Sequence, residues 1–210
     1  MFITFEGIEG SGKSLQIVRA RTYLQQIRGL ACLLTREPGG TDFGLALRGV
    51  LLGIHGYRID PRSELLLYLA DRYQHLKEVI EPALQSGQVV LCDRYQDATR
   101  AYQGTARGIA GSEIEKLSQL LGIIEPDKTI LLDLEPEAGL ARARARNLES
   151  AAAAAEGRFE AEALEFHTKV REAYLELAAQ SPQRIYSVPA SGTPDEVSAR
   201  IARLLDEWIA

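Results

Sequence analysis

Short apolar runs alternate with longer stretches of helical periodicity along most of the chain. Residues 2–5 (Phe-Ile-Thr-Phe) read as a strand, and residues 13–28 follow as a helix that stops at Gly29. Residues 30–35 form a second strand, and residues 61–86 keep a helical period until Gly87. Residues 89–92, 129–134 and 184–188 complete five predicted strands. Further helices are predicted over roughly residues 111–121, 136–146, 158–179 and 194–209. Strands that are apolar throughout are buried on both faces, so the pattern predicts an α/β protein with a parallel sheet between two helical layers. In such sheets ligands gather beyond the carboxyl ends of the strands. The positions to search are therefore those directly after Phe5, Thr35, Cys92 and Leu134.

One stretch breaks the pattern. Arg142, Arg144 and Arg146 precede five alanines, Ala151 to Ala155, and then Glu156 and Gly157. Alanine favours helix, but five in a row offer no face to bury, so residues 142–158 are expected to form a mobile lid. With 210 residues, 46% of them hydrophobic, the chain suits one domain over residues 1–210. A net charge of −5 argues against a nucleic-acid-binding surface. Positive charge for an anionic substrate must then be concentrated locally. Cys32 and Cys92 each lie in a strand-like run and read as buried thiols rather than a disulfide or a metal knuckle. No segment resembles a signal peptide or a membrane span, so a cytoplasmic location without membrane partners is expected.

The strongest chemical signal is Gly7-Ile8-Glu9-Gly10-Ser11-Gly12-Lys13-Ser14, between a strand and a helix. It matches the phosphate-loop pattern, in which glycines curl the backbone so that amide N–H groups and a helix N-terminus face phosphate. Lys13 would reach the β- and γ-phosphates of ATP, and Ser14 could ligate Mg²⁺. Arg36 begins Arg-Glu-Pro-Gly-Gly-Thr at the end of the second strand. Alone it reads as a surface charge; held beyond a strand end it suits bidentate phosphate binding. Asp93-Arg94-Tyr95 follows the third strand. A carboxylate there is placed to orient Mg²⁺, and Arg94 to bind a phosphate.

Taken together with Ala70-Asp71-Arg72, Ala101-Tyr102-Gln103-Gly104 and the Arg142-Ala143-Arg144-Ala145-Arg146 run, these motifs resemble bacterial thymidylate kinases over nearly the whole chain. The resemblance implies a P-loop NTPase fold of the nucleoside monophosphate kinase type, with a five-stranded parallel sheet in an α/β/α sandwich. It also implies ATP and dTMP as substrates, Mg²⁺, and a homodimer. Tyr68 would stack on thymine where the family usually has phenylalanine, Arg72 would hydrogen-bond the base, and Thr99 would meet the ring edge. Tyr102 and Gln103 would line the deoxyribose, Arg36 and Arg94 would grip the dTMP phosphate, and Glu9 would sit near the acceptor sugar. The alternative for Tyr68 and Tyr102 is the lesser one that each is simply a core aromatic. Arg144 and Arg146 would act on the transferred phosphoryl group, and Arg142 would pack at the adenine end, beside a loop at residues 189–194. Ala98 stands where the family often has serine.

The acceptor phosphate is mostly dianionic at neutral pH, so it needs no general base, and catalysis reduces to positioning and charge neutralisation. Two rival readings remain at this point. A kinase for another nucleotide or nucleoside would share the phosphate machinery; a nucleoside acceptor would need a carboxylate base such as Glu37 or Glu9. A nucleotide switch would hydrolyse without any acceptor, although no Asn-Lys-x-Asp base-reading motif occurs.

Overall fold

The computed structural model of the chain describes residues 1–149 and 155–209. Most of the alanine run, residues 151–154, lies outside the described residues. Five strands form one sheet: β1 (Phe2–Glu6), β2 (Cys32–Arg36), β3 (Val89–Asp93), β4 (Lys128–Asp133) and β5 (Ile185–Pro189). Their order is β2-β3-β1-β4-β5 and every neighbouring pair is parallel. The predicted fold class therefore holds.

Alternate residues of β1 face opposite layers, as the period of two requires. Ile3 and Phe5 pack with Ile17, Ala20 and Leu24 of α1 (Lys13–Gln26) and with Val197, Ile201 and Leu205 of the last helix, α9 (Pro194–Trp208). Phe2 faces the other way, toward Leu76, Ile80 and Tyr95. Thr4 and Glu6, on that same face, are buried but polar. The Thr4 hydroxyl meets that of Thr129 at 2.8 Å, and Thr129 donates to Asp97. Arg100 and Arg184 neutralise Asp97. These polar groups are tolerated in the interior because each finds a partner.

Four helical stretches depart from the sequence reading. Helix α2 (Asp42–Leu52) was not predicted, because Gly44 and Gly49 interrupt its pattern; the Thr41 hydroxyl caps it by accepting from Gly44 N. The expected helix over residues 61–86 begins as α3 (Pro61–His75), widens into a π-helical segment at Leu76–Ile80 and ends in α4 (Glu81–Gln85). After β3, a short α5 (Gln96–Thr99) likewise runs into a π-helical segment, Arg100–Ala106. Its wider turn is closed by Arg107 N donating to Tyr102 O at 2.9 Å, and π-bulges of this kind re-aim side chains. Helices α6 (Gly111–Leu120) and α7 (Pro136–Glu149) follow, then α8 (Leu164–Gln180), which starts six residues later than its pattern predicted. Arg158, read as the start of that helix, is instead drawn away by Leu51 O and Glu64.

Candidate active site

The phosphate loop leaves the carboxyl end of β1 at the centre of the sheet and turns into α1 at Gly12. Gly10 has φ of 72°, and a Cβ there would lie 2.0 Å from Gly139 O. Gly139 answers: its own Cβ would lie 2.5 Å from Glu9 O. Two glycines thus let the loop rest directly on α7, the helix that carries Arg142 and Arg146.

Lys13 folds back over the loop and is buried. Its Nζ donates to Gly7 O at 2.9 Å and Ile8 O at 2.8 Å, and lies 3.3 Å from Ser11 Oγ. Burial, reinforced by the charge of Arg94, lowers its pKa to about 8. Beside it, Ser14 Oγ donates to Asp93 Oδ2 at 3.0 Å. These oxygens fit a hard cation that takes its remaining ligands from phosphates and water. Among the described residues no cluster of three His, Cys, Asp or Glu side chains forms a self-sufficient metal cage.

Arg94 follows Asp93 with φ of 68°, a left-handed conformation that costs a non-glycine residue roughly 1–3 kcal/mol. The turn aims its guanidinium at Glu9, which Nη2 meets at 2.8 Å, while the ring of Tyr102 lies 4.8 Å below. The Tyr102 hydroxyl donates to the same carboxylate at 2.7 Å. Burial alone would raise the Glu9 carboxyl, but the charge of Arg94 and the neighbouring His167 hold it well below the ordinary carboxylate range.

Glu9, Lys13, Ser14, Asp93, Arg94 and Tyr102 open onto one cavity of about 610 Å³. Lys13, Ser14, Asp93 and Arg94 line one part of it; Arg36, Tyr68, Arg72, Thr99, Tyr102 and Gln103 line another. Tyr68 and Arg72 share a face of α3 because they are four residues apart. Gln103 is anchored by donating to Glu64 at 2.7 Å. Ala98 lines the cavity as well. Of the arginine run, Arg142 and Arg146 reach the cavity, again four apart, whereas Arg144 does not line it. Arg142 leans toward Ala190 O at 3.4 Å, and Arg146 pairs with Glu160 at 2.7 Å. Gly7, Ile8 and Ser11 support Lys13 from below rather than face the opening.

Sequence reading missed several contributors. Arg48 on α2 lines the cavity and forms a two-pronged pair with Glu156, at 2.9 and 2.6 Å. Glu37 pins Arg72, His75 pins Glu37, and Phe159 closes over Tyr102 with ring centroids 5.2 Å apart. Arg48, His75 and Phe159 belong to no spacing pattern; Glu37 was read only as a candidate base, and the fold instead pairs it with Arg72 and His75.

A phosphate loop at a central strand, a serine–aspartate pair beside it, and cationic side chains converging on one cavity define a P-loop phosphotransferase. The profile of the family described as Thymidylate kinase matches residues 5–201. Thymidylate kinases of Solidesulfovibrio magneticus and Syntrophotalea carbinolica are 50% and 53% identical to it, covering 96% and 95% of the chain and 96% and 92% of their own lengths. The crystal structure of thymidylate kinase from Ehrlichia chaffeensis is similar with a TM-score of 0.78 at 32% identity, over 98% of both chains. The chain belongs to the thymidylate kinase family, kinases that move the terminal phosphate of ATP to dTMP.

Proposed function

We propose that the cavity holds dTMP between α3 and the π-helical segment Arg100–Ala106, with ATP on the phosphate loop, and that the product feeds dTTP synthesis. The observation that carries this reading is the lining itself: Tyr68, Arg72 and Thr99 share one cavity with Arg36, Arg94 and Lys13. Thymine stacks on Tyr68 and meets Arg72 and Thr99, while Tyr102 and Gln103 border the sugar. Arg36, whose guanidinium makes no hydrogen bond among the described residues, and Arg94 grip the acceptor phosphate.

The physical obstacle is repulsion between two polyanions brought in line. Lys13 neutralises the donor phosphates, Arg36 and Arg94 the acceptor, and each works better where water is excluded. Ser14 and Asp93 would hold Mg²⁺, which when bound adds charge neutralisation at the donor phosphates. The segment at 142–158 acts as the lid; Arg142 borders adenine, and Arg146, exchanging Glu160 for phosphate, contributes charge as the lid shuts. Arg144 takes no part through the conformation described. Exposed apolar side chains on α2 and α3, among them Phe43, Leu45, Leu66 and Tyr73, supply a face for a homodimer. No helix among the described residues is long and apolar enough to cross a membrane.

Substitution of Tyr68 tests the acceptor placement. Tyr68→Phe keeps the stacking ring and should leave the KM for dTMP unchanged, whereas Tyr68→Ala should raise it about tenfold with little effect on the KM for ATP. Equal changes in both constants would move the base elsewhere.

A further inference from the structure

One buried histidine is left over from the site just described. His167 lies near the start of α8 and is wholly enclosed. Its Nε2 is 3.0 Å from the carbonyl oxygen of Phe159. A carbonyl only accepts, so Nε2 carries a proton. Nδ1 meets no aligned hydrogen-bond partner among the described residues, and its near neighbour is Glu9 Oε2 at 3.2 Å. A bare Nδ1 would set its lone pair against a carboxylate. A proton on Nδ1 turns the same contact into a charge-assisted attraction.

The position of Glu9 gives this contact its consequence. Its carboxylate accepts from Arg94 and from the Tyr102 hydroxyl, two groups on the acceptor side of the cavity. Phe159, whose carbonyl holds the histidine, packs edge-on against Tyr102 and lines the same cavity. His167 is therefore the bridge between the chain that follows the lid and the carboxylate that orients Arg94 and Tyr102.

We infer that His167 is a positioning residue: an imidazolium that ties Glu9 to the Phe159 carbonyl and so fixes Arg94 and Tyr102 for the acceptor. The inference rests on the proposed placement of the dTMP phosphate and sugar at those two side chains. A histidine that merely filled space would serve as well without a proton on Nδ1.

Two near-isosteric variants separate its two contacts. In His167→Gln the amide reaches the place of Nε2 and keeps the Phe159 bond but loses Glu9. In His167→Asn the amide takes the place of Nδ1 and keeps a donor toward Glu9. His167→Gln should raise the KM for dTMP about tenfold while the KM for Mg-ATP stays within about twofold, and His167→Asn should recover most of that loss. In a Glu9→Gln background, His167→Gln should add nothing further, because the interaction it removes is already gone. Imidazole ¹⁵N spectra of the wild-type protein at neutral pH should show both His167 nitrogens protonated. A bare Nδ1, equal losses in the two variants, or additive losses with Glu9→Gln would overturn the inference. Failure of wild-type protein to saturate with dTMP would instead displace the acceptor placement, and the ¹⁵N spectrum would still decide the protonation of His167.

Discussion

Arg72 Nε and Glu37 Oε2 lie 2.8 Å apart, and neither side chain is more than 2% exposed. The second Glu37 oxygen meets His75 Nδ1 at 2.9 Å, and His75 Nε2 reaches the Thr35 hydroxyl at 2.6 Å. The guanidinium also donates to Gln96, Thr99 and the Tyr95 carbonyl. A buried arginine so fully engaged is rigid, which is what a side chain reading a base edge requires. Gly40 belongs to this arrangement, since a Cβ there would come within 2.3 Å of the His75 ring. Removing the carboxylate with Glu37→Ala would strand a buried charge, at a cost of about 3–5 kcal/mol. Denaturant unfolding should show that loss, accompanied by weaker dTMP binding. A loss below about 1 kcal/mol would mean that water reaches Arg72.

Lys13 should make ATP binding sensitive to mild alkali. Its pKa near 8 reflects burial and the facing Arg94 charge. Nucleotide phosphates favour the charged lysine, so below pH 8 it binds already protonated. Above pH 8 binding must take up a proton, and affinity should fall by up to about tenfold per pH unit. Calorimetry between pH 7 and pH 9 in buffers of different ionisation enthalpy would reveal the uptake. Lys13→Ala should abolish the trend and lower turnover by at least about a hundredfold.

Glu6 should make the fold itself pH-dependent. It accepts from Tyr95 N and the Tyr174 hydroxyl at 2.7 Å each, and burial, aided by the charge of Asp97, raises its pKa to about 7. A folded pKa above the unfolded value stabilises most at low pH and loses that contribution as pH rises through 7. The loss accumulates between the ordinary value of 4.5 and about 7 and is on the order of 3 kcal/mol. Glu6→Gln imitates the protonated acid and should flatten the profile of unfolding free energy from pH 5 to pH 8. An unchanged slope would assign it to other groups.

The arginines of α7 should differ by face. Arg142 and Arg146 line the cavity and Arg144 does not. Arg146→Ala should lower kcat by about tenfold or more, while Arg144→Ala should remain within about twofold of the parent. Steady-state kinetics would distinguish this from an arginine run that acts only through its total charge, for which the two losses would be equal.

The parts of this molecule visible in the sequence are those written in local patterns. Five apolar runs became five parallel strands, because a strand covered on both faces has no polar side to conceal it. The phosphate loop was legible because its glycines, lysine and serine are contiguous. Helix α2 was hidden by two internal glycines, and the helix carrying Tyr102 and Gln103 was hidden by its π-helical turn, which breaks the 3.6-residue period. The supports of the site were illegible for a different reason. Glu37 and His75 are 38 residues apart, and His167 and Phe159 only eight, yet no spacing rule joins either pair. Arg158 illustrates the converse: it reads as the start of a helix at the end of the lid, but the buried carboxylate of Glu64 claims it at 2.7 Å.

Acceptor-dependent ADP formation tests phosphoryl transfer to dTMP most directly. Purified protein with Mg-ATP would be offered dTMP, dUMP, CMP, AMP, GMP and thymidine one at a time. Strong turnover with dTMP, weak turnover with the others and almost none without an acceptor is the expected result. Preference for another acceptor would contradict the roles given to Tyr68, Arg72 and Thr99, and hydrolysis indifferent to every acceptor would contradict phosphoryl transfer to dTMP in this cavity.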